Sequence, residues 1–229
     1  MGRVREALER LGLDEELLDW ADTHGDDLAE AWASCPRGDW LLRIALRVGV
    51  DRRLVVRAAA LCVSPTLRLL PSNEQRPALA LTAAQRWCEG ETNDAACFAA
   101  AFAASNAANE SFGGSGSRAR AAKAAACVAF ACDAAADLAY YAERAYAAEA
   151  LHLAASSFDQ ADRAHAAFTQ TVRTIIPFDW VGDRVEPAIR ASQMPPPPER
   201  DPLRESHVKG PSFGEESSPR MWFDPDGVA

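Results

Sequence analysis

The chain reads as an all-α protein, and three observations lead there. Alanine is the commonest residue and falls in runs, while Val, Ile and Thr are sparse; alanine is the best helix former and the β-branched residues favour strands. Apolar residues recur at spacings of three and four, the period of an amphipathic helix. Asp, Asn, Gly and Pro stand where helices would start and stop. A chain of 229 residues can bury one substantial core. The architecture expected is a multi-helix antiparallel bundle or short helical array over residues 1–192, followed by a Pro-rich irregular tail over 193–229.

The elements follow in order. Val4 to Leu11 is a short helix ended by Gly12. Asp14 caps the second, with Leu17, Leu18 and Ala21 inward and Gly25 at its end. Asp26 to Ser34 is the third, broken by Pro36. Asp39 is expected to cap Trp40 to Val48, which stops at Gly49. Asp51 caps the fifth helix, whose inner face includes Leu54, Ala58 and Leu61; Pro65 ends or kinks it and Pro71 closes the segment. Asn73-Glu74-Gln75-Arg76-Pro77 opens a helix with Pro in the first turn, continued by Ala78 to Cys88 and ended by Gly90. Thr92-Asn93-Asp94 caps a helix to Asn109 or so, on which Phe98 and Phe102 lie four apart, and Gly113 to Ser117 form a flexible loop.

From Arg118 the spacing becomes regular. Cys127, Ala131, Ala134, Leu138, Tyr141, Ala145, Ala148 and His152 make one helical stripe, whose small residues let a second helix approach closely. Ser157-Phe158-Asp159-Gln160 has the form of a capping box, starting a helix with Phe158, Ala161, His165, Phe168, Val172 and Ile175 on one face until Pro177. A last short helix is expected from Trp180 to Ala191, weakened by Pro187. The tail from Met194 is rich in Pro, Ser, Gly and charge and lacks helical periodicity. Its Met221-Trp222-Phe223 run either docks on the body or a partner, or stays solvated.

The formal net charge of −9 argues against nucleic acid, because phosphate binding needs a clustered basic face. The charge is uneven. Residues 1–36 carry ten acids and three Arg; residues 37–86 carry nine Arg and three acids. Eight of the acids, Asp14, Glu15, Glu16, Asp19, Asp22, Asp26, Asp27 and Glu30, crowd into 14–30 with no Lys or Arg among them. Either the Arg block neutralises them within the fold, or they form a docking face for a basic partner.

Six Cys occur, none in a Cys-x-x-Cys pair or at zinc-finger spacing from a His, so buried free thiols in a reduced compartment are expected. The four His make no His-x-x-x-His or Glu-x-x-His pattern, and neither a phosphate loop nor a nucleophile elbow is present. No cofactor, no metal and no catalytic residue are expected. The amino terminus lacks an apolar signal core and no stretch has transmembrane character, so a cytoplasmic protein with no membrane contact is expected. Arg37-Gly38-Asp39 is a coincidental cell-adhesion tripeptide; a turn before a helix uses those residues better.

One segment is dense in residues that a surface helix does not need. Trp32, Cys35, Arg37, Gly38, Asp39, Trp40, Leu41 and Leu42 are followed by Asp51, Arg52 and Arg53, then Glu74, Arg76 and Pro77, then Trp87 and Gly90. In order and spacing this resembles the immunity-protein family of bacterial polymorphic toxin systems, over residues 30–160. Arg43 departs from the pattern, standing where that family carries a large apolar residue. The resemblance implies a non-catalytic protein that neutralises a cognate toxin by occluding it; the acidic N-terminal segment, outside the resemblance, suits a basic one. The family-motif residues Trp32, Cys35, Arg37, Asp39, Trp40, Arg52, Glu74, Arg76 and Trp87 would then serve the scaffold or the interface. As scaffold, the Trp side chains knit short helices together and Asp39 or Glu74 pairs with Arg37, Arg52 or Arg76. The alternative reading is a helical scaffold or adaptor, such as a phage or mobile-element accessory protein. The sequence leaves the oligomeric state open.

Overall fold

A helix begins where a side chain accepts the backbone N–H groups that its first turn leaves unpaired. The computed structural model describes residues 2–24, 26–133 and 145–192. In it, Asp14 accepts the Leu17 N–H at 3.2 Å to open α2 (Glu15–Asp22), which follows α1 (Arg3–Arg10). Asp27 accepts from Ala29 and Glu30 to open α3 (Leu28–Ser34). After α4 (Gly38–Arg47), Asp51 accepts from Arg53 at the start of α5 (Arg52–Val63). Pro65 then diverts the chain into a 3-10 helix (Ser64–Leu69), and Pro77 sits in the first turn of α6 (Arg76–Cys88). Asn93 caps α7 (Asp94–Glu110) through the Ala96 N–H. The remainder is α8 (Gly116–Phe130), α9 (Tyr146–Ala155), α10 (Ala161–Ile175) and α11 (Phe178–Ser192). The fold is all-α, with no strand among the described residues.

Two helix ends show why glycine was needed. Gly49 and Gly90 take φ of +75° and +77°. Each is followed by a residue whose N–H reaches back five positions, Val50 to the Ala45 carbonyl and Glu91 to the Arg86 carbonyl, both at 2.9 Å. That left-handed closure satisfies carbonyls of the last turn.

The helices form a layered array. α4, α5, α9 and α10 pack on one another at its centre. On one side lies a lobe of α6, α7 and α8, where Ala101 and Ala104 meet Ala126 and Ala129, and Ala108 meets Ala119 and Ala122. Side chains this small let the helix backbones approach closely. On the other side α1 packs against α2 and α11, and α11 against α3 and α4. The main core is built from larger residues, among them Leu8, Leu17, Leu41, Leu42, Val55, Val56, Leu151, Val172 and Ile176. Among the described residues no helix is long and apolar enough to cross a membrane.

The structure corrects several expectations. The third helix begins at Leu28, with Asp27 and not Asp26 at its start. Asp39 does not cap α4; the helix starts one residue earlier, at Gly38, and Asp39 lies inside its first turn. Leu61 is exposed, because α5 buries Val55, Val56, Cys62 and Val63 instead. The stripe from Cys127 to His152 is not one continuous helix: α8 ends at Phe130, Ala145 is extended with ψ of 133°, and His152 is exposed. Ser157 forms no capping box; its hydroxyl donates back to the Leu153 carbonyl at 2.7 Å, and Gln160 stands at the start of α10 without a side-chain cap. The last helix begins at Phe178 and runs through Pro187 to Ser192. Ala134, Leu138 and Tyr141 of the stripe, Gly25, and the tail with Met221-Trp222-Phe223 lie outside the described residues.

Candidate functional site

The first half of the tryptophan-rich motif converges on one buried carboxylate. Asp39 is wholly buried, and a carboxylate taken out of water needs a charged, hydrogen-bonding partner. Arg37, two residues earlier on the turn into α4, supplies it: Nε donates to Oδ1 at 3.2 Å and a terminal nitrogen donates to Oδ2 at 2.7 Å. This two-pronged geometry is the strong form of the pair. The other terminal nitrogen of Arg37 donates to Glu16 of α2 at 2.7 Å. The guanidinium also lies 4.7 Å from the centre of the Trp40 ring, and Trp40 tilts onto Trp20 at 5.6 Å.

The same knot fixes the preceding chain. Cys35 donates its thiol to the Arg37 carbonyl at 3.3 Å, and burial pushes that thiol up to about 12. Arg173 of α10 donates to the Trp32 carbonyl at 3.0 Å and the Cys35 carbonyl at 2.7 Å, closing the end of α3. Trp32 and Trp40 are both buried. Gly38 is needed for space: a Cβ there would lie 3.0 Å from the Phe168 Cβ, 3.1 Å from the Phe168 backbone carbon and 3.1 Å from the Leu151 side chain. His165 of α10 places Nδ1 3.6 Å from Asp39 Oδ1. Burial, helped by Arg37 and His152 and opposed by Asp39, holds its pKa below the ordinary histidine value.

The second half of the motif lies elsewhere. Arg76 donates twice to Glu74, at 2.9 and 2.7 Å, and reaches Glu110 at the end of α7 at 2.7 Å. Ser111 donates to Glu74 at 2.9 Å. These bonds, the Arg76 pair foremost, hold the Glu74 carboxyl down at about 2. The pair ties the start of α6 to the end of α7. Arg52 takes neither Asp39 nor Glu74: it donates to the Ala131 carbonyl at 3.2 Å, just past the end of α8. Trp87 is half-buried, donates its indole N–H to Asp94, and lies under the Arg53 guanidinium at 5.7 Å. Trp32, Cys35, Arg37, Asp39 and Trp40 thus share one network, while Glu74 and Arg76 together serve one helix junction and Arg52 and Trp87 serve two others.

Seven of the eight crowded acids are shared out among three uses. Glu15 and Asp19 receive Arg5 of α1 at 2.5 and 3.1 Å, Glu16 receives Arg37, and Asp14 receives Arg43. Asp22 and Asp26 accept the Gly2 and Arg3 N–H groups at 3.4 and 2.7 Å, capping the start of α1 from across the chain. Asp27 caps α3. The Glu30 carboxylate alone of the eight has no hydrogen-bond or ion-pair partner among the described residues. The exposure within these pairs is lopsided. Glu15, Glu16 and Asp19 are 69%, 67% and 71% exposed, while Arg5 and Arg37 beneath them are only 15% and 20% exposed. Partly buried arginines, Arg37 and Arg43 of the 37–86 block among them, thus pair with the acids around α2 within the fold, and the paired carboxylates of Glu15, Glu16 and Asp19 keep most of their surface outward.

Sequence reasoning missed Arg5, Arg173 and His165 as members of these networks. Arg173 sits 141 residues from Trp32, and only an Arg embedded in an otherwise apolar helix face could have signalled it. All six cysteines are free. Among the described residues no group of three or more His, Cys, Asp or Glu is placed to hold a metal ion. Comparison of the chain with protein-family models, with curated proteins and with solved structures finds no match.

Proposed function

We propose that this chain is a non-catalytic binding protein of the immunity type, which neutralises a basic protein toxin by covering it with the acidic face of α2. The supporting observation is the row of Glu15, Glu16 and Asp19, exposed carboxylates held from below by Arg5 and Arg37. Carboxylates already fixed in place lose little side-chain freedom on binding, and an ordered charged surface accelerates encounter with an oppositely charged partner. The buried Arg37–Asp39 knot supports the same reading, because it anchors that face to the core through α4. The resemblance of the Trp32–Gly90 motif to immunity proteins supplies the partner class. Under this reading the motif residues are the frame, and α2 is the contact.

The test is capture from native bacterial lysate with the full chain as bait, followed by identification of what is retained. The proposal expects a basic protein whose retention falls as salt is raised, since exposed charge pairs are screened. Retention of acidic or neutral proteins alone, unaffected by salt, would remove it.

A further inference from the structure

The start of α11 carries an aromatic side chain that the fold does not use. Phe178, Val181 and Val185 turn inward, and Phe178 lies against Gly182, where an added Cβ would be 3.0 Å from its ring. Those residues seat the helix. Trp180, on the opposite side, is 48% exposed. It lines an open groove of about 560 Å³ together with Leu54 of α5, Asp179, Asp183 and Arg184. Its exposed ring forms one face of that groove.

The charges around it are arranged unlike those of α2. Asp179 and Asp183, four residues apart and so on one face of the helix, have no hydrogen-bond or ion-pair partner among the described residues. Asp14, Glu15, Glu16 and Asp19 all have arginine partners. The groove's own cation, Arg184, is engaged elsewhere: it donates to the Gly49 carbonyl at 2.6 Å, pins α11 to the end of α4 and forms no ion pair with either carboxylate among the described residues. The groove thus offers an indole ring, the Leu54 side chain and two unpaired carboxylates, beside an Arg184 already bonded to the backbone.

We propose that this groove receives an arginine side chain presented by a protein partner. A guanidinium is flat, stacks on an indole, and offers a fork of donors that suits carboxylates. A lysine would supply the charge without the stacking plane. A phosphate-bearing partner would be repelled by Asp179 and Asp183, and a purely apolar segment would bury both carboxylates unpaired. The assignment to a protein partner rests on the binding function proposed above. The groove's preference for a guanidinium does not, and can be measured without the partner.

The experiment titrates N-acetyl-arginine amide into the full chain and follows the indole N–H signals of its six Trp by ¹⁵N–¹H correlation spectroscopy. Trp180→Phe identifies the signal of Trp180. The expected result is a saturable shift of that signal, weakened about tenfold in the Asp179→Asn/Asp183→Asn variant, whose melting temperature stays that of the parent. N-acetyl-citrulline amide, matched in shape but uncharged, should leave it unmoved. The proposal is overturned if the Trp180 signal does not respond, responds equally to the citrulline probe, or responds equally in the double variant. It is also overturned if a captured basic partner binds the double variant as tightly as the parent. A responding groove in a chain that captures no basic protein would remove the binding function proposed above and leave the groove's guanidinium preference in place.

Discussion

Arg37 and Asp39 should behave as a unit whose halves cannot be separated. In Arg37→Met the wholly buried Asp39 loses both hydrogen bonds of the two-pronged guanidinium, and only the unbonded His165 ring stands near it, 3.6 Å away. Leaving a buried charge uncompensated costs about 3–5 kcal/mol. In a domain of this size each kcal/mol moves the melting temperature by about 2–4 °C, so a fall of about 10 °C is expected. Asp39→Leu should cost less, about 3 kcal/mol, because Arg37 is 20% exposed and retains Glu16 on its solvent side. The double variant Arg37→Met/Asp39→Leu replaces the pair by apolar side chains and should recover most of either loss, since well-packed apolar replacements of buried ion pairs are often neutral. Thermal melts followed by circular dichroism, assembled into a double-mutant cycle, measure this. Single variants that melt with the parent, or a double variant whose loss is the sum of the two, would refute the buried pair as the frame of the site.

Three further outcomes follow from the same coordinates. Gly38→Ala should lower stability by about 1–3 kcal/mol through contact with Phe168, although Ala normally stabilises a helix relative to Gly; a raised melting temperature would show that α10 gives way freely. Glu74 is held at about 2, below the ordinary carboxylate value, so its contribution is present above that ordinary value and is lost as pH falls towards about 2. Between about pH 4.5 and pH 2 the parent's melting temperature should fall more steeply than that of Glu74→Gln, and parallel slopes would count against the pairing with Arg76. Cys35 and Cys62 are both pushed up to about 12 by burial, so in native protein at about pH 8 they should alkylate far more slowly than in denaturant; rapid native labelling of either would place that thiol near the surface.

What could be read from the sequence was the local part. Asp14, Asp51 and Asn93 cap helices through N–H groups two or three residues away, and Pro77 and Gly90 act through their own backbone, so composition at one place was enough. Asp39 looked like the same kind of residue. It is not, because the neighbouring Arg37 captures the carboxylate and α10 packs over Gly38, which carries the helix start one residue back. Ser157 failed as a cap for a related reason: buried at the end of α9, its hydroxyl has the Leu153 carbonyl at hand. The Leu61 face was misjudged because α5 is covered by α6, α8, α9 and α10, and the buried side of a helix with that many neighbours no longer follows one stripe. Whether the acids of α2 were paired was left open by the sequence, because Arg5, Arg37 and Arg43 lie on other elements, and pairing across the fold leaves no periodic trace. The grouping of Trp32, Cys35, Arg37, Asp39 and Trp40 was legible as a motif; that it would be buried while Glu15, Glu16 and Asp19 face outward was not.

The most direct test of the binding account is to reverse the α2 face and repeat the capture. Glu15→Lys/Glu16→Lys/Asp19→Lys places three cations over Arg5 and Arg37, with the core residues beneath untouched. Helical content should survive, because the three side chains are largely exposed and such surface positions contribute little to stability. The account expects the basic protein held by the parent at low salt to be lost from the variant, and association of that protein with the parent to slow as salt is raised. A folded variant that captures the same protein at the same rate would contradict it.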